Sequence, residues 1–202
     1  MVENVSAVLI AGGKSRRMGQ DKRFLELGGG SIFQRSLGLL TQTFRETIVV
    51  LAEPVDSLQV IGCKVVYDLI PNAGSLGGLY TGLMASSQPR IFAVACDMPF
   101  LNSDVIRFMV SFDTTMDIVV AQLGERFQAM HALYSQRCLP YLRAMVDERD
   151  LKIQKLFLHE DLRVAVIGED QLNRIESGLK SFQNINTPDD LARAKAEIAD
   201  QL

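Results

Sequence analysis

Cysteine is scarce in this chain of 202 residues and poorly placed for joint work: Cys63, Cys96 and Cys138 are odd in number, far apart and in no CxxC pair. That excludes a disulfide framework and a zinc knuckle, and leaves buried, reduced thiols as the expectation. Long apolar runs are also missing. No stretch approaches the roughly 20 residues that span a bilayer, and residues 1–6 carry neither the basic start nor the apolar run of a secretory signal, so a cytoplasmic location without membrane contact is expected. Positive charge is not in excess. With 21 Lys and Arg against 24 Asp and Glu, the formal net charge of -3 argues against nucleic acid as a partner. Two familiar phosphate loops are absent as well, since neither G-x4-G-K-[ST] nor a strand followed by GxGxxG occurs. There is no internal repeat, low-complexity tract or linker, and the length suits one domain with one core.

What the chain does have is alternation. β-Branched apolar runs at 5–11, 47–52, 63–68, 90–97, 117–123 and 162–168 read as buried strands, and the more ambiguous run at 127–134 reads as another. Between them lie helical patterns. Ile32, Phe33, Leu37, Leu40 and Phe44 recur at three- and four-residue intervals behind Ser31 as N-cap. A glycine-rich loop is expected to run into a helix at 79–86, and 103–112 forms a helix capped by Ser103. Helices are also expected at 138–149, with Pro140 near its start, and at 151–159. The final helix is marked by Thr187 as N-cap, Pro188 at the first position and Asp190 at the third. Strands alternating with helices imply an α/β domain built on a mostly parallel central sheet with helices on both faces. Ligands of such sheets sit beyond the carboxyl ends of the strands, where Gly12, Asp68 and Asp97 stand.

The first strand breaks into Gly12 and Gly13, and residues 14–23 then hold five cations (Lys14, Arg16, Arg17, Lys22 and Arg23) against one anion, Asp21, five minus one giving +4. Bare backbone N–H groups beside cations suit a polyanion; a glycine turn before a solvated basic loop is the plainer alternative. Asp97 ends the apolar run FAVACD, and a carboxylate there needs a partner. A divalent metal carrying phosphates is one, and a cap on the following loop is another. Together these features describe a magnesium–nucleotide site. His131 and His159 read as a packed core histidine and a helix-end histidine, and neither is given a catalytic role.

The stretch LIAGGKSRRMGQDK resembles the LxAGGxSxRMGxDK signature of MobA-type molybdenum cofactor guanylyltransferases, within the nucleotidyltransferase superfamily. The resemblance continues, in order, through YDLIPNAGSLGGLYTGL, VACDMPFL and NINTPDDLARAK, and so spans nearly the whole chain. It implies a Rossmann-like fold of the nucleotide-diphospho-sugar transferase type, with a nucleotide half near 1–110 and an acceptor half near 111–202. The activity implied is transfer of GMP from GTP to Mo-molybdopterin, with Mg2+ as cofactor and pyrophosphate as by-product. Transient contact with molybdenum-insertion proteins or apo-molybdoenzymes is part of the same expectation.

Position by position, the resemblance puts Ile10, Ala11 and Gly12 along the nucleotide, Lys22 on its phosphates and Asp68 on GTP. The bare backbone of Gly13 and the cation Arg17 are expected beside them from the charge pattern, Arg17 stabilising the transferred phosphorus and the departing pyrophosphate. The resemblance also makes Asp97 the metal ligand, places Gly77, Gly78 and Leu79 in a loop beside the guanine, and puts Asn184 and Asn186 on the molybdopterin side. Two other classes stay open on the residues alone: a cytidylyltransferase or sugar-phosphate nucleotidyltransferase, and a non-catalytic nucleotide-binding cofactor carrier.

Overall fold

A computed structural model of the chain describes residues 1–12, 21–55 and 60–199. Seven strands form one sheet: β1 (Ser6–Ile10), β2 (Thr47–Leu51), β3 (Lys64–Tyr67), β4 (Arg90–Ala95), β5 (Ile118–Leu123), β6 (Arg126–Ser135) and β7 (Val164–Gly168). Their order is β3-β2-β1-β4-β6-β5-β7. All seven strands expected from the sequence are present. Every neighbouring pair is parallel except the two that involve β6. The exception has a local cause. Leu123 pairs with Arg126 across a two-residue connection in which Gly124 takes φ +57°, and a turn that short returns the chain antiparallel. The hairpin thereby inserts β6 between β4 and β5.

The middles of β1 and β4, residues 7–10 and 91–95, are continuously apolar because both faces of the sheet are covered. Ala7, Leu9, Phe92 and Val94 face one cluster, closed by Phe33, Leu37 and Leu40 of α1 (Ile32–Thr43) and by Val105, Ile106 and Met109 of α3 (Ser103–Ser111). Val8, Ile10, Ile91 and Ala93 face the other, closed by Leu76, Leu79 and Leu83 of α2 (Gly74–Ala85) and by Leu142 and Met145 of α4 (Leu139–Asp147). Each such buried Leu or Phe contributes about 1.5–3 kcal/mol through removal from water. Two further helices are α5 (Glu169–Asn173), which periodicity does not announce, and α6 (Pro188–Ala199). Among the described residues no helix is long and apolar enough to cross a membrane.

Several local expectations need correction. The cap of α3 is Asn102, whose side chain accepts from the Asp104 N–H at 2.8 Å, so Ser103 is already helical. Residues Ile153–Leu158 tighten into a 3-10 helix rather than an α-helix, with Ile153 and Leu156 buried. Cys138 is buried, but Cys63 and Cys96 are only half-buried, because both stand at sheet ends and not in its middle. The largest correction concerns α2. It starts at Gly74, so Gly77, Gly78 and Leu79 are buried helical residues, not members of an exposed loop. A Cβ on Gly78 would lie 2.7 Å from Ile10 Cγ2, and one on Gly82 would lie 2.5 Å from Val8 Cγ1. The glycines therefore serve a close approach of helix to strand, which outweighs their low helix propensity.

Candidate active site

Hydrogen bonds at the carboxyl ends of four adjacent strands bring the expected residues to one edge. The Ala11 N–H donates to the Val50 carbonyl at 2.9 Å, the Cys96 N–H to Ile10 at 3.1 Å, and the Asp68 N–H to Leu51 at 2.8 Å. In the order β3-β2-β1-β4, Asp68 follows the first strand, Gly12 the third and Asp97 the fourth. Three strand spacings separate the two carboxylate positions, about 14 Å along the edge. Among the described residues packing does not demand glycine at position 12: a Cβ there would meet Ala52 at ordinary contact distances of 3.4 Å and more. The bare backbone at that point is free to face something other than the protein.

Gly13, Lys14, Arg16, Arg17 and Met18 lie outside the described residues, as does the side chain of Lys22. The backbone of Lys22 forms a one-turn 3-10 helix with Arg23 and Phe24. Of the five cations counted along the sequence, Arg23 is neutralised by Asp21. Its Nε donates to both Asp21 carboxylate oxygens at 2.9 Å, its Nη2 forms an ion pair with the same group, and its Nη1 donates to the Ala11 carbonyl at 3.3 Å. Sequence reasoning missed this pairing, although the DKR spacing of two residues permits it.

Asp68 is half-buried, and burial pushes its carboxyl pKa up, partly offset by hydrogen bonds from Thr81 and the Ile70 backbone. Thr81 Oγ1 donates to Asp68 Oδ1 at 3.0 Å and accepts from the Leu69 N–H at 3.0 Å, fixing the carboxylate against α2. A Cβ on Gly77 would lie 3.1 Å from Asp68 Oδ1 and 3.0 Å from the Ile70 carbonyl. Gly77 thus makes room for Asp68. Thr81 falls within the helix expected at 79–86, but nothing in the local pattern marks it as the partner of Asp68.

On the far side of the edge, the Ile185 N–H donates to the Asp97 carbonyl at 2.9 Å, which fastens the segment before α6 to the end of β4. Ile185 is buried with Leu25, Leu27, Ile32, Ala194 and Ile198, while Asn184 and Asn186 on either side of it are exposed. Period-two alternation keeps both amides out of that cluster. The Asn186 and Thr187 N–H groups donate to Asp190 Oδ2 at 3.0 and 2.9 Å, and Asp190 N–H returns a bond to Thr187 Oγ1 at 3.1 Å. This is the expected cap, and it lowers the Asp190 pKa to about 2, chiefly through the Asn186 backbone. A cavity of about 320 Å³ opens there, lined by Phe100, Asn184, Ile185, Asp190, Arg193 and Glu197 among others.

Asp97 is half-buried at the end of β4. Among the described residues no cluster of three or more His, Cys, Asp and Glu side chains is assembled to hold a metal. One carboxylate does not make an all-protein cage. It fits Mg2+, which keeps several waters and takes substrate phosphates alongside one or two carboxylates. His131 is fully buried and packs against Phe92 and Phe182, beside Val94 near the end of β4 but closed off from solvent, and His159 packs on Tyr141.

Comparison with known proteins gives a consistent set of relatives. The MobA-like NTP transferase domain matches residues 7–164. A probable molybdenum cofactor guanylyltransferase of Pelotomaculum thermopropionicum is 32% identical over 190 residues, covering 94% of this chain and 91% of that protein. The molybdenum cofactor guanylyltransferase of Desulfosudis oleivorans is 32% identical over 201 residues, covering 98% and 97%. Among solved structures, the molybdopterin-guanine dinucleotide biosynthesis protein A of Archaeoglobus fulgidus superposes with a TM-score of 0.84 at 24% identity, covering 98% of this chain and all of that one.

Proposed function

This chain belongs to the MobA-like NTP transferase family, and from that membership we propose that it transfers GMP from GTP to Mo-molybdopterin, forming the guanine dinucleotide cofactor and pyrophosphate. The observation that carries the reading is near-full-length similarity to guanylyltransferases, joined to a strand-end edge with a carboxylate at each extremity and bare backbone between them. The reaction sets an anionic phosphate against an anionic phosphorus, so the task is to align the two and offset their repulsion. No protein nucleophile is needed.

In this reading Asp68 takes the guanosine end of GTP, with Gly77, Gly78 and Leu79 supporting it from within α2, not as a loop in contact with the base. Ile10, Ala11, Gly12 and Gly13 run beside the nucleotide. Lys22 and Arg17 stabilise charge on the α-phosphorus and on the departing pyrophosphate. Asp97 is the residue that would hold Mg2+, which when bound would supply positive charge and Lewis-acid polarisation to the phosphates. Asn184 and Asn186 face the molybdopterin in the acceptor half, 111–202, while residues 1–110 form the nucleotide half. A cytoplasmic setting fits this role, as does transient contact with the proteins that supply molybdenum or receive the cofactor.

The deciding measurement is pyrophosphate release from GTP, CTP, UTP and ATP with Mg2+ and Mo-molybdopterin. Release with GTP well above the other nucleotides is expected. A preference for CTP would move the chain to cytidylyl transfer, and no release with any nucleotide would leave the carrier alternative standing.

A further inference from the structure

The one-turn helix that carries Lys22 is held from both flanks. Behind it, Leu25 and Leu27 are buried in a cluster with Ile32, Ile185, Ala194 and Ile198, so α6 and its approach form the floor under this segment. Ahead of it stands Asp21, which binds Arg23 of the turn itself; the Arg23 side chain is only 12% exposed. Its guanidinium makes the paired bonds to Asp21 already described, its backbone N–H donates to Asp21 Oδ1 at 3.0 Å, and Phe24 N–H donates to the Asp21 carbonyl at 3.1 Å. The remaining donor reaches the Ala11 carbonyl at 3.3 Å. Ala11 continues β1 into the bare-backbone stretch, so Arg23 physically joins the lysine turn to the end of the central strand. Glu53, just beyond β2, also attracts it.

Two facts separate this arrangement from a generic surface ion pair. The guanidinium is engaged as a planar fork by one carboxylate and one carbonyl, which fixes orientation as well as charge. Ion pairs taken partly out of water contribute little net stability, because desolvation offsets attraction. A costly, oriented pair beside the phosphate-facing backbone therefore points to geometry and not to fold maintenance. We propose that Arg23, braced by Asp21, is a positioning residue that ties the Lys22 turn to the end of β1 and so sets where Lys22 meets the nucleotide phosphates. The inference rests on the proposed reaction and on Lys22 as its phosphate-contacting cation.

The test is a double-substitution cycle read as saturated turnover with GTP, Mg2+ and Mo-molybdopterin. Misplacing a catalytic group by a fraction of an ångström slows turnover, so Arg23→Met is expected to lose about tenfold. Lys22→Ala is expected to lose about a hundredfold, as for loss of a donor to transition-state charge. If Arg23 acts through Lys22, adding Arg23→Met to Lys22→Ala changes turnover by less than about twofold. Arg23→Lys, which keeps the charge but loses the fork, is expected to stay as slow as Arg23→Met. A double variant about a thousandfold slow, the product of the two single losses, would overturn the proposal. So would wild-type turnover in either Arg23 variant. Should Arg23→Met not fold, Asp21→Asn breaks the same pair from the other side and is read against the same expectations. Wild-type protein that transfers no GMP, or a Lys22→Ala variant at full speed, would instead bring down the underlying reading and this inference with it.

Discussion

At the scale of single residues, His131 separates chemical type from chemical role. Its ring lies edge-on to Phe92 at 5.2 Å and tilted on Phe182 at 4.5 Å, fully out of solvent. Neither ring nitrogen has a hydrogen-bonding partner of good geometry among the described residues, and only a looser contact with the Ser181 backbone works against the burial that lowers its pKa to about 3. The folded state thus disfavours the imidazolium, whereas the unfolded chain takes up a proton near pH 6.5. The stability associated with His131 is complete above that pH and is lost progressively as pH falls toward 3. From pH 7 to pH 5 the wild type should lose about 2 kcal/mol more than His131→Leu. Urea unfolding of both proteins at the two pH values checks this, and parallel losses would contradict it. Asp68 shows the reverse case: its burial is moderate, its partner Thr81 is present, and it opens on the strand edge where a ligand can compensate it.

At the scale of elements, α2 shows how sequence pattern misleads when small residues have two uses. Gly74, Gly77 and Gly78, in the first half of a 12-residue helix, read as a loop by propensity, yet tertiary contact overrides that preference. Gly82 stacks over Val8 in the central strand, where a β-branched side chain has little freedom to move aside. Gly82→Ala is therefore expected to destabilise the protein by about 1–3 kcal/mol, against the usual gain from replacing helical glycine by alanine. Thermal or urea unfolding would show it, and a stabilised variant would mean that helix and strand can separate without loss. By contrast, the boundaries of α1 and α6 were legible. Ser31 with Gln34, and Thr187 with Asp190, cap their helices through short-range hydrogen bonds that depend on neighbours three residues away.

At the scale of the whole molecule, strand order decides which residues meet. Gly12, Asp68 and Asp97 are separated by tens of residues, but the parallel order β3-β2-β1-β4 sets them along one edge, and the Ile185–Asp97 bond brings the segment before α6 to the same place. Ligand binding across that edge should stabilise the fold as a unit. Magnesium–GTP at 100 times its dissociation constant would add about 2.7 kcal/mol, raising the melting temperature by roughly 5–10 °C. A thermal-shift series with the four nucleoside triphosphates, each with and without Mg2+, reads this directly. The largest shift is expected with GTP and Mg2+ together, and no shift with any nucleotide would count against the site as assigned.

The sequence by itself determined the strands, the main helix caps, the α/β class and the motif residues that mark the strand ends, because each depends on periodicity or on partners within a few positions. It did not determine that Arg23 is claimed by Asp21 and Ala11, that Thr81 holds Asp68, or that Gly78 and Gly82 of α2 serve packing against β1. Those outcomes were decided by the tertiary structure, since each depends on which surfaces approach within van der Waals or hydrogen-bonding distance. That distance is set by strand order and helix placement, neither of which is encoded in any one stretch of the chain.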